Sequence, residues 1–148
     1  MTLDNLVKIG RAKQHKAAPD EITRLVGAIR RNLKDARNVD ISPESRFDIG
    51  YKAAMQCALV AMLASGFRPS TNEPGHHATV IRSLPKTIGV SNEKMMVLDQ
   101  LRKKRNLSDY SGVGISEEMA AACVRAATDL AETLEKWLRV EHPDLIDE

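Results

Sequence analysis

Ser42-Pro43-Glu44-Ser45-Arg46-Phe47-Asp48-Ile49-Gly50-Tyr51-Lys52-Ala53-Ala54-Met55-Gln56-Cys57-Ala58-Leu59-Val60-Ala61-Met62-Leu63-Ala64-Ser65-Gly66 is the stretch that decides the class of the fold. It opens with a strong helix start: a capping hydroxyl, a proline in the first turn, and an acid at the positive end of the helix dipole. Phe47, Tyr51, Ala54, Met55, Ala58, Leu59, Met62 and Leu63 then recur at spacings of three and four, so the segment reads as the most buried helix of the chain. Gly66 is its stop.

Upstream, Asp20 is placed to cap a helix whose apolar face is Ile22, Leu25, Val26, Ile29 and Leu33, ending near Arg37. The first eighteen residues, with Arg11, Lys13, His15 and Lys16, read as a basic arm and not as a core helix. Downstream, a polar connection from Phe67 to Pro74 leads through Gly75-His76-His77 into a short helix carrying Val80, Ile81 and Leu84. Ser91 caps a further helix through Met95, Leu98 and Leu101, closed by Gly112 and Gly114. Ser116, with Glu117 and Glu118 behind it, caps the last, whose expected buried stripe is Met119, Cys123, Ala126, Leu130, Leu134 and Trp137. The expectation is an all-α, up-and-down bundle of four main helices plus a short one, spanning residues 19–142 between the arm (1–18) and an acidic tail (143–148).

Composition agrees. The 148 residues fit one domain, which at this size buries roughly 68–70% of the surface its unfolded chain exposes. Residues AVILMFWYC make up 43% of the chain but aromatic ones only 3%, which favours helices over a sandwich of sheets. The longest apolar run, Cys57 to Ala64, is far short of the roughly 20 residues that span a bilayer. No membrane segment or secretory signal is read, and a cytoplasmic setting follows as the expectation. Cys57 and Cys123 sit in apolar helical stretches, as buried reduced thiols do. Charge is uneven: residues 1–37 carry nine Lys/Arg against four Asp/Glu, and residues 111–148 carry three against nine. Either the ends attract one another within the fold or a dimer, or the basic end faces a polyanion.

Chemistry concentrates where the fourth main helix ends, Leu101-Arg102-Lys103-Lys104-Arg105-Asn106-Leu107-Ser108-Asp109-Tyr110. Arg105 falls seven residues after Leu98 and returns near the same face, flanked by Arg102 and Asp109, so the apolar stripe turns polar there. One reading is an Arg105–Asp109 ion pair one turn apart. The other is a polar cleft that binds phosphate through Arg105, with Arg102, Lys103 and Lys104 steering a polyanion. His76 and His77 either cap and pack at a helix start or supply an imidazole to Arg105 if their turn approaches it; without a third ligand they do not spell a metal site. No glycine-rich phosphate loop, zinc pattern or nucleophile elbow is present, and no cofactor is implied.

At these residues the chain resembles the HEPN superfamily, small helical bundles often found beside minimal nucleotidyltransferases, whose hallmark is an Arg, a polar residue, and a His four to six positions on. Arg105-Asn106 matches the beginning of that motif. The likeness runs from about Asp20 to Trp137 in helix order, in the Ala-rich second helix ending Gly66-Phe67-Arg68-Pro69, and in the Gly75-His76-His77 turn. It is similar to the branch in which an Arg-Asn motif ends in Asp-Tyr. Where a catalytic member places its histidine, this chain has Asp109-Tyr110, and a phenol of pKa about 10 is a poor base at neutral pH. The resemblance therefore implies the fold and a symmetric dimer with a polar cleft around Arg105, Asn106, Asp109 and Tyr110. The function expected from it is binding of RNA, a nucleotide or a protein partner. The alternatives are a metal-independent ribonuclease toxin with an altered base, and a structural partner of a nucleotidyltransferase.

Overall fold

The computed structural model describes residues 2–71 and 75–146, and it is mostly helical. Four long helices dominate: α2 (Pro19–Ala36), α3 (Pro43–Ala64), α6 (Asn92–Ser111) and α7 (Glu117–Glu141), joined by short α1 (Leu3–Lys8), α4 (His76–Arg82) and α5 (Leu84–Thr87). Two three-residue strands, β1 (Ala12–Gln14) and β2 (Phe67–Pro69), pair antiparallel with Ala12 opposite Pro69 and Lys13 opposite Arg68. A 3₁₀ turn, Pro143–Leu145, follows α7.

The serine caps form as the sequence predicts: Ser42, Ser91 and Ser116 each accept a hydrogen bond from the backbone N–H three residues on. Asp20 does not cap α2. Pro19 already occupies the first turn, which leaves Ala18 at the cap position, and Asp20 instead meets Arg24 at 3.0 Å. On α7 the buried stripe is Ala120, Cys123, Val124, Ala127, Leu130, Ala131, Leu134 and Leu138. Met119 is exposed, and Ala126 and Trp137 are only half-buried, so the inward face is turned by about one residue from the predicted one. Small alanines explain this: they allow close helix contact, and periodicity weighted by large side chains overlooks them.

The core is three-layered around α3, which packs on α2 and α7. Its fully buried side chains include Phe47 and Met62 from α3, Ile22 and Ile29 from α2, and Leu134 and Leu138 from α7. Gly50 lets α3 and α7 approach: an added Cβ there would lie 3.3 Å from Cys123 Sγ and 3.4 Å from Val124 Cγ2. Cys57 and Cys123 are both buried, and burial pushes each thiol pKa up, that of Cys123 to about 12. Helix α3 is long and apolar enough by composition to cross a membrane, yet 67% of its apolar window lies inside the fold. It is the core helix.

Helix α6 is different. It rests on α4, α5 and one side of α3, and of its 20 residues only Leu98 and Asp99 are buried. The arrangement is thus a three-helix core with α4–α6 laid along α3. The basic N-terminal stretch is tied in: β1 joins β2, Ala12 is buried, and Leu6 and Val7 pack on the core. At the other end Leu145 is buried too, and the turn that carries it meets α2. The last residues of the polar connection, 72–74, and of the acidic tail, 147–148, lie outside the described residues.

Candidate functional site

Helix α6 carries Arg105 to a position over α3, where three elements converge. The Arg105 guanidinium carbon lies 5.2 Å from the centroid of the Tyr51 ring, within the range of a cation–π contact. Its Nε is 3.5 Å from Asp109 Oδ2, one turn along α6, and 3.9 Å from Asp48 Oδ1 on α3. Asp48 and Tyr51, three residues apart, present their side chains on one face of α3. From the third element, α4, His77 places Nδ1 3.5 Å from the Tyr51 hydroxyl, a long contact, and its ring meets that of His76 edge to face. Gly75, in the left-handed conformation at φ 80°, turns the chain so that α4 begins at these histidines.

The electrostatics follow from this packing. Burial, then the charges of His76, Arg105 and Arg102, hold His77 below the ordinary imidazole value, so it is neutral at physiological pH. Burial and the nearby Asp109 raise the Asp48 carboxyl, with Arg105 pulling the other way. Burial pushes the Tyr51 hydroxyl up to about 12, despite the opposing pull of Arg105 and Arg102. The cluster therefore combines a neutral base, a fixed guanidinium and a carboxyl that holds its proton more tightly than usual.

Arg105, His76, His77, Asp48 and Tyr51 line one end of a cleft of about 810 Å³ between α2, α3, α4 and β2. The other predicted residues go elsewhere. Arg102 donates to Asp99 at 2.8 Å, and Lys103 stands 3.9 Å from the same carboxylate, so both brace α6. Arg82 of α4 completes that brace at 3.2 Å. Lys104 and Asn106 are half-buried and are not among the cleft's lining residues. Tyr110 is 89% exposed and is not among the cleft's lining residues. Among the described residues no group of three or more His, Cys, Asp or Glu side chains converges as a metal site.

Sequence reading paired Arg105 with Asp109 but missed Asp48 and Tyr51. An acid inside the most apolar helix, three residues from a tyrosine, was the available signal. Comparison of the chain with protein-family models, with curated proteins and with solved structures finds no match in any of the three. The site is accordingly read from its own geometry.

Proposed function

We propose that this protein is a HEPN-like, dimeric binding protein that uses the Arg105 end of the cleft to take up RNA, a nucleotide or an acidic protein segment. The observation that carries this reading is the half-exposed Arg105, with 33% of its side chain accessible, poised over Tyr51 at the mouth of an 810 Å³ cleft. A planar guanidinium held over an aromatic face can present its N–H fork to an oxyanion, which would take the place of the Asp48 and Asp109 carboxylates now 3.9 and 3.5 Å away. Tyr110 stands at the place of the motif histidine, and a phenol, of ordinary pKa about 10, is a poor base at neutral pH.

The surface of α6 supports the dimer. Met96, Gln100, Lys103, Leu107 and Tyr110 recur at spacings of four and three along one exposed stripe, with Met96 59%, Leu107 49% and Tyr110 89% accessible. A two-fold contact through this stripe would cover it with itself. Light scattering is expected to give twice the chain mass at micromolar concentration and the single-chain mass for Leu107→Asp; a monomeric wild type removes the dimer from the proposal.

A second reading is favoured by His77. A neutral imidazole next to Tyr51 and Arg105 has the makings of a general base beside a phosphate-binding cation, as metal-independent RNA cleavage requires. A metal-free cleavage assay on single-stranded RNA separates the two. The binding reading predicts no cutting by wild type, with RNA affinity lost in Arg105→Ala. Cutting that disappears in both His77→Ala and Arg105→Ala, with melting temperatures unchanged, establishes the enzyme instead.

A further inference from the structure

The cleft does not end at Arg105. Its lining follows α3 from Asp48 to Leu63, a span of about 22 Å at ~1.5 Å per residue, and reaches the β1–β2 ribbon at Arg68 and Pro69. Between the two ends the floor is aliphatic: Leu25 from α2, Met55, Leu59 and Leu63 from α3, and Val80 from α4. Leu63 and Val80 are buried, and Leu25, Met55 and Leu59 are half-buried, so the apolar surface is recessed instead of standing out as a patch.

The two ends differ in charge. At the α6 end the Arg105 cation already faces Asp48 and Asp109. At the ribbon end Lys13 and Arg68 sit directly opposite one another in the strand pair, both exposed. Like charges in that relation oppose pairing. The acid on that wall, Glu21, is occupied by His15 at 2.8 Å. An anion seated at the ribbon would relieve the repulsion.

We infer that the cleft binds a small amphiphilic anion, an aliphatic chain with a carboxylate head, its head held by Arg68 at the ribbon end and its chain lying on Leu25, Met55 and Leu59. A volume of about 810 Å³ falls in the range of small-ligand sites, roughly 300–1,000 Å³, which combine an apolar lining with a few polar anchors. Single-stranded nucleic acid fits the floor less well, because bases stack on aromatic faces and the Tyr51 ring lies beneath Arg105. A docking helix needs a protruding or broadly exposed apolar stripe, which this recessed floor does not offer. The inference goes beyond the Arg105 reading and does not rest on it, since head and chain occupy the rest of the cleft.

Calorimetric titration of the full chain with octanoate, decanoate and dodecanoate, each below its micelle concentration, tests it. One-to-one binding is expected, tightening about fourfold per added methylene. Decanol, with the same chain and no charge, should bind at least about tenfold more weakly, and Arg68→Glu should cost decanoate about tenfold or more. Leu59→Gln probes the floor separately and should flatten the dependence on chain length. Equal affinity for decanol and decanoate, or an unaffected Arg68→Glu, overturns the assignment. So does displacement of decanoate by oligouridylate, or binding to anionic vesicles without binding to free decanoate.

Discussion

Asp99 is buried at 8% exposure, yet carries a charge. Burial alone would raise its pKa, but hydrogen bonds from Arg102 and Arg82 more than offset that and hold the carboxyl below the ordinary value. Removing it leaves Arg102, 16% exposed, without its partner. Asp99→Ala should therefore cost about 2 kcal/mol in urea denaturation, more than the loss of an exposed ion pair. His77 makes the opposite kind of prediction. Its native pKa lies below the unfolded value of 6.5, so the unfolded chain binds the extra proton first. Its contribution is complete above 6.5 and is lost as pH falls from there through the native value. Urea midpoints should drop as pH falls below about 6.5, and His77→Gln should flatten that drop. Residue by residue, the site was legible where one helix supplied both partners: Arg105 and Asp109 are four apart, and periodicity alone brings them together. Tyr51, Asp48 and His77 arrive from other helices, and no local pattern encodes a meeting between α3, α4 and α6.

Among the elements, α3 and α7 meet most closely, and Gly50 is the reason. With 3.3 Å from its virtual Cβ to Cys123 Sγ, there is no room for a larger side chain. Gly50→Leu should overpack this crossing and lower stability by about 3 kcal/mol, read as a shift in the thermal midpoint with the helical circular dichroism otherwise preserved. Helix starts were the most legible elements, because a serine, its N–H partner three residues on and an acid in the first turn form one local device at Ser42, Ser91 and Ser116. The strands were the least. Three residues with a lysine at the centre show no usable alternation, and β1 finds its partner more than fifty residues away, at Phe67–Pro69. The α6 helix reads as amphipathic from Leu98 to Arg105 but turns out to bury little, which is the physical origin of the exposed stripe assigned here to a second copy.

For the whole molecule, the uneven charge along the chain resolves partly into contacts between its two ends. Arg30 of α2 meets Glu135 of α7 at 2.9 Å, and from α3, outside the basic end, Arg46 meets Glu117 at 3.2 Å. Arg30 is 68% exposed, so its pair orders the surface more than it holds the fold, whereas Arg46, 10% exposed, also donates to the Ala36 carbonyl. Raising salt from about 0.05 M to about 0.5 M should change unfolding free energy by less than about 1 kcal/mol, measured by urea titration. Stability resides in the α2–α3–α7 core, which explains why the all-α class could be read from apolar spacing while the placement of α4–α6 along the side of α3 could not. The core also encloses both native thiols, Cys57 and Cys123, whose high pKa values keep them protonated and shielded. That silence makes the chain an addressable instrument: Val39→Cys adds a single reactive sulfur at a 73% exposed position off the α6 stripe, so a maleimide spin label goes there alone. Pulsed dipolar spectroscopy on that one label would then give the separation of the two α2–α3 turns in an assembled pair, a ruler that needs no cysteine removed.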